Sequence, residues 1–206
     1  AERYPERVTG LILRGLFLGT QSEVNWLYQH GASELFPEHW HDFVQFVPEG
    51  MRDDLIGTYH KYLMSEDRET AVRAAHAWCK WEVSILMLQM DASFFDNLSD
   101  DFCLAMARIG CHFFINDFFF DDEDEIVNGL DAIREIPTAL IQGRYDVVTP
   151  VRTAWRLKQL WPQLELNIVP DAGHAASEPG ISAAITQAAA YFAKQGHFEG
   201  AFNSPS

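Results

Sequence analysis

The sequence predicts an α/β fold in which a long helical insert separates two groups of strands. Three observations predict it: a compact apolar run near the N-terminus, a middle stretch whose apolar residues recur every three or four positions, and a strand–helix–strand–helix pattern toward the C-terminus. The first run is Val8 to Arg14 (VTGLILR). It lies between turn-forming Pro5 and Gly15, and its nearly continuous apolar character suits a strand buried on both faces of a parallel sheet. From Gly19 to about Asp124 the pattern is helical. Val72, Ala75, Cys79, Val83 and Leu86 share one stripe; Phe102, Met106 and Ile109 form another after Ser99, a residue type that caps helices. Strand character returns at Thr138 to Gln142 (TALIQ). A helix is expected from about Val151, opened by Pro150, with Ala154, Leu157, Leu160 and Trp161 on one face. The next strand is Leu164 to Val169, and the last helix carries Ile181, Ala184, Ile185, Ala188 and Phe192 on one stripe before a loose tail from Gly196. This is the order of the second half of an open α/β sheet with a domain inserted between two strands. The expected divisions are 1–18 (sheet), 19–125 (helical insert), 126–195 (sheet and helices) and 196–206 (tail).

Composition narrows the function. With 48% hydrophobic residues over 206 positions, the chain can bury a substantial core. Its 15 Lys and Arg against 30 Asp and Glu leave a net charge of -15, which repels phosphate backbones and anionic lipid and argues against nucleic-acid binding. No apolar run reaches the roughly 18 residues of a membrane span, and the N-terminus has no signal-peptide region. Cys79, Cys103 and Cys111 are odd in number and lack CxxC spacing, so reduced thiols in a cytoplasm are expected rather than disulfides or zinc. His39 and His41 have no third ligand at a recognisable spacing; neither a metal nor a cofactor is expected. The acidic run Asp121 to Glu125 reads as a solvated loop.

Two residues carry the chemistry. Asp146 follows the strand TALIQ through Gly143-Arg144-Tyr145, at the carboxyl end of a parallel strand, where such sheets place ligand and catalytic groups. His174 follows the next strand through Pro170-Asp171-Ala172-Gly173, so one strand–helix–strand unit brings it to the same edge. Taken singly, an Asp in a turn is more often a cap and a His beside glycine more often structural. Together they make the half of a triad in which a carboxylate orients an imidazole base. The order acid then histidine, with any nucleophile earlier, is the α/β-hydrolase arrangement.

The stretches PERVTGLILRG, WLYQHGASELFP, AAHAWCKWE, IQGRYDVVTP and VPDAGHAASEPG resemble those of bacterial proline iminopeptidases, α/β-hydrolases that release N-terminal proline from peptides. The resemblance runs from Glu2 to about Ala193. It implies the C-terminal part of an α/β-hydrolase with a helical cap, Asp146 and His174 as triad acid and base, and Arg14 and Phe17 beside the proline pocket. It also implies that Glu82 binds the substrate's free α-amino group, as an aminopeptidase requires to reject internal peptide bonds. Read without the resemblance, Glu82 on an amphipathic helix is a surface residue.

Three departures qualify this. Gly110 stands where the family commonly carries a second amine-binding glutamate, and Leu27 stands where it often carries an aromatic. The third is that no G-x-S-x-G nucleophile elbow occurs in the chain. The expectation is therefore part of a serine aminopeptidase, inactive alone. Its partners are a small peptide with N-terminal proline and a hydrolase segment, in the same or another chain, bearing the serine. The alternatives are a hydrolase of another ester or amide and a non-catalytic interaction fragment.

Overall fold

The structure, a computed structural model, describes residues 1–89 and 92–202; positions 203–206 of the expected tail lie outside the described residues. In chain order the elements are β1 (Leu11–Arg14), α1 (Gln21–Tyr28), α2 (Ala32–Leu35), α3 (Pro37–Gln45), α4 (Leu55–Leu63), α5 (Arg68–Ser84), α6 (Asp100–Ile115), α7 (Glu125–Gly129), β2 (Thr138–Gly143), α8 (Val151–Leu160), β3 (Glu165–Val169) and α9 (Pro179–Gln195). They fall into two compact units, one of Ala1–Leu18 with Asp124–Ser206 and one of Gly19–Glu123.

The first unit is built on a parallel sheet in the order β1-β2-β3, with Leu11 opposite Thr138 and Ala139 opposite Glu165. Every residue of the central strand is buried. Leu140 packs with Ala154, Leu157 and Trp161 from the α8 side, while Ala139 and Ile141 pack with Ile181, Ala184 and Ala188 of α9. The two-residue period of the strand thus feeds two helical layers, which is why Ala139 to Ile141 are apolar in succession rather than alternating.

Three expectations are corrected here. Strand β1 is shorter than Val8 to Arg14 and is not buried on both faces: Leu11 and Leu13 pack inward, but Ile12 is 37% exposed. Pro5 to Arg7 form a 3-10 turn that takes the Val8 N–H onto the Pro5 carbonyl (3.0 Å). Sheet bonding begins only where the Leu11 N–H donates to the Pro137 carbonyl (2.9 Å). On α8, Leu160 faces outward, and Trp161 beyond the helix end fills the core position instead, its indole donating to the Arg134 carbonyl (3.0 Å). The tail is not loose through 202. Gly196, at φ +73°, ends α9 in the left-handed conformation that suits glycine, and Phe198 and Ala201 fold back into the core.

The second unit is helical around α5 and α6. Ala71, Ala74, Ala75 and Cys79 meet Cys103, Ala107 and Cys111 there, all fully buried. The cysteines are free; the Cys79 thiol donates weakly to the Cys103 carbonyl and Cys111 to that of Ile56, both at 3.6 Å. Ser99 caps α6 as expected, accepting from the Phe102 N–H (3.3 Å). Of the apolar residues that marked this helix, Phe102 and Ile109 are exposed, and the adjacent row of small residues faces in. Closely paired helices accept small side chains between their axes and turn the bulky ones out. Aromatics fill the rest of the interior, with Tyr28, Phe43, Tyr59, Trp78 and Trp81 all buried. Among the described residues, no helix is long and apolar enough to cross a membrane.

Candidate functional site

In the first unit the two sequence-predicted residues meet. His174 Nδ1 lies 2.9 Å from Asp146 Oδ2, across 28 residues of chain. Asp146 is 5% exposed. Its Oδ2 also accepts from Gln142 Nε2 (2.8 Å) and the Thr149 hydroxyl (3.0 Å), and its Oδ1 accepts from the Thr149 N–H (2.8 Å). With three donors from Gln142 and Thr149 already on it, the carboxyl serves as an acceptor toward the ring, so Nδ1 is the nitrogen that donates to it. Nε2 has no hydrogen-bond partner among the described residues. The arrangement is chemically that of an oriented imidazole base backed by a buried acid.

The scaffold explains why it forms. Gly143 ends β2 against the Gly173 backbone so closely that a Cβ would lie 2.0 Å from the Gly173 carbonyl oxygen, so only glycine lets the two loops touch. The Arg144 N–H then donates to the Val169 carbonyl (2.8 Å) and the Tyr145 N–H to that of Ala172 (3.0 Å). Glu178, buried before α9, accepts from the Gly173 N–H (2.9 Å). Gln142 also donates to the Thr149 carbonyl (2.7 Å) and accepts from the Leu16 N–H (3.2 Å), tying the loops after β1 and β2 together.

Arg14, the last residue of β1, donates its guanidinium to the His174 carbonyl. Gly15, at φ +53°, lies under the imidazole, where a Cβ would come within 2.7 Å of His174 Cε1. Phe17 is half-buried in the loop that follows. Gln142, Thr149, Gly15 and Glu178 escaped the sequence reading. Thr149 alone left a signal: at three residues after Asp146, its N–H is the donor that an Asp turn or cap ordinarily takes. Asp146 is therefore a turn-capping residue and the imidazole's partner at once.

Glu82 belongs to the other unit. It is no freely exposed surface residue: it is half-buried, and its carboxyl accepts a hydrogen bond from the Tyr28 hydroxyl. Burial is the main cause raising its pKa, and the Tyr28 hydrogen bond and the nearby Trp78 indole pull it back down. Leu27, in place of the family aromatic, is buried, and its carbonyl accepts from the Trp81 indole (3.0 Å). Gly110 lies within α6, where an added Cβ would meet only the Phe114 ring, at 3.7 Å. A separate open groove of about 720 Å³, lined by His39, Asp42, Arg73, His76 and Lys80 among others, includes neither Glu82 nor Tyr28. Among the described residues no three His, Cys, Asp or Glu side chains gather as a metal site would require.

The model of the alpha/beta hydrolase fold family matches residues 1–180. A proline iminopeptidase of Arabidopsis thaliana is 44% identical over 190 residues, covering 91% of this chain and 50% of that protein. A probable proline iminopeptidase of Leptolyngbya boryana is 44% identical over 196 residues (95% and 61%), and a proline iminopeptidase of Neisseria gonorrhoeae 40% over 189 residues (91% and 60%). The chain thus spans between half and about three-fifths of the length of these curated relatives. With a parallel sheet between helical layers and an acid and a histidine joined at its carboxyl edge, the chain belongs to the α/β-hydrolase fold family.

Proposed function

We propose that the chain supplies the acid, the base and the amine-recognition carboxylate of a serine aminopeptidase that releases N-terminal proline. The single observation that carries the proposal is the buried Asp146–His174 pair with Nε2 left free. The names of the relatives support the prolyl specificity, and the enclosed carboxyl of Glu82 supports recognition of a free ammonium. In this reading the nucleophile is a serine on an elbow outside these 206 residues. His174 takes its proton through Nε2 as it attacks the prolyl carbonyl and returns it to the leaving amine, while Asp146 holds the tautomer and stabilises the imidazolium. No metal or cofactor takes part. Unit Gly19–Glu123 is read as the cap.

The test is a serine-directed fluorophosphonate probe together with proline-arylamide hydrolysis, on the isolated chain and on the longer hydrolase that contains it. The longer protein is expected to take the label on serine and to lose about four orders of magnitude in kcat on Asp146→Asn, with a comparable or larger loss on His174→Ala. The isolated chain is expected to do neither. Full activity in the Asp146→Asn protein would sink the assignment. Gly110 favours a second reading, in which a site with one carboxylate fewer takes another small amide or ester. Proline and non-proline arylamides compared side by side separate the two.

A further inference from the structure

The second unit holds a buried acidic side chain with no cation beside it. The Glu82 carboxyl is desolvated, no cation contributes to its electrostatics, and its Oε1 has one firm donor, the Tyr28 hydroxyl. The indole N–H of Trp78, fully buried, lies close enough to bias the carboxyl toward its charged form but makes no hydrogen bond among the described residues. A carboxylate offers about four acceptor positions, and the Tyr28 hydroxyl takes one of them on Oε1, which leaves Oε2 for a further donor. Tyr28 and Trp78 lie against it, and a third ring packs on both. Tyr28 stacks on Trp78 at 4.6 Å and meets Phe114 at 5.0 Å, with Trp78 and Phe114 6.1 Å apart. Ring faces attract cations, and aromatic walls accept an apolar ring such as pyrrolidine. Tyr28 and Trp78 belong to the core, whereas Phe114 and Glu82 keep partial exposure.

Resting on the amine reading of Glu82, we infer that Tyr28 is its positioning residue: the phenol holds Oε1 so that Oε2 is presented, charged, to the ammonium of the ligand. Tyr28 is suited to this because it ionises only far above neutrality; burial and the adjacent Glu82 carboxylate both raise its pKa well beyond its ordinary value. The other titratable groups facing Glu82 are the thiols of Cys79 on α5 and Cys111 on α6. Burial raises both, Cys111 to about 12, so they remain neutral. Glu82 is the carboxyl of this cluster, its pKa raised by burial.

The experiment titrates L-prolinamide into the 206-residue chain by calorimetry across acid and neutral pH, with N-acetyl-L-prolinamide as the uncharged control. Wild type is compared with Glu82→Gln and Tyr28→Phe. The phenylalanine keeps the ring that stacks on Trp78, and near-UV circular dichroism checks that the packing survives. Tyr28→Phe is expected to weaken prolinamide binding roughly ten- to a hundredfold, the worth of a hydrogen bond to a charged group. It is also expected to move the acid limb of binding to higher pH, because the phenol's hydrogen bond was holding the Glu82 pKa down. If Glu82→Gln loses binding but Tyr28→Phe leaves both affinity and acid limb unchanged, the positioning role is overturned and the amine reading stands. If wild type binds prolinamide no better than Glu82→Gln, or no better than it binds the acetylated control, the amine reading itself falls.

Discussion

His174 depends on what is missing beneath it. Gly15 combines a left-handed φ with contact under the imidazole, so Gly15→Ala is strained twice, by its backbone and by a Cβ inside the ring's van der Waals radius. In the longer hydrolase proposed to contain the chain, the expected outcome is a protein that folds, destabilised by about 1–3 kcal/mol in denaturant melts, with kcat reduced more than KM is changed. Unchanged kcat would mean that the imidazole does not need its seat. Glu82 yields a prediction of opposite sign. Burial raises its pKa, so the folded chain holds this proton more tightly than the unfolded chain does. The stability linked to the proton is fully present below the unfolded pKa and is lost as pH rises through the folded one. Glu82→Gln removes the ionisation and keeps an acceptor for Tyr28. It is therefore expected to raise the melting temperature at neutral pH and to flatten its fall between acid and neutral pH, as calorimetry would show. A lower melting temperature at neutral pH would mean that the charge is compensated in the fold. A carboxylate that costs stability where it stands is the kind of residue retained for function.

At the scale of elements, helix α6 shows how packing overrides pattern. It carries two apolar rows, one of small residues at Cys103, Ala107 and Cys111 and one of bulky residues at Phe102, Ile109 and Phe113, and the small row is the buried one. Hydrophobic spacing finds the helix but cannot choose between the rows; the choice follows from how closely α5 approaches. Gly110 in the same helix has room for a side chain, with only the Phe114 ring nearby. Gly110→Ala is accordingly expected to stabilise the chain by about 1 kcal/mol through helix propensity alone, seen as a rise in denaturation midpoint with an unchanged m-value. A loss of stability would show that α6 needs the bare backbone there. In β1 and β2 the elements were legible because buried parallel strands need continuous apolar runs, yet β1 begins three residues late. The turn at Pro5 to Arg7 had already claimed the Val8 N–H.

At the scale of the whole molecule, β1 is the edge of the sheet among the described residues, with Ile12 turned out. A strand edge with an apolar residue on it invites pairing with another chain. The isolated chain is therefore expected to self-associate, and Ile12→Lys to reduce that association, as sedimentation velocity would reveal. A net charge of -15 opposes association, so raising the salt concentration should promote it in wild type. A wild-type chain that stays monomeric over a wide concentration range would count against an open edge. The same edge is where the proposed serine-bearing segment would add its strand, and adding that segment should then suppress self-association.

The sequence by itself determined the order of strands and helices, the place of the long helical insert, and the two residues at the carboxyl edge. Each of these is written locally, in runs of apolar residues, turn-forming glycines and prolines, and the spacing of Asp146 and His174 over one strand–helix–strand unit. Only the tertiary structure decided which face of α6 turns inward, that the tail through 202 folds back onto α9, and that Gln142, Thr149, Arg14 and Gly15 hold the acid and the imidazole. It also decided that Glu82 is an enclosed carboxylate held by Tyr28, 54 residues away in the chain. Those facts depend on how closely separated segments approach and which polar groups that approach leaves to find partners, and neither quantity is carried by any stretch of sequence alone.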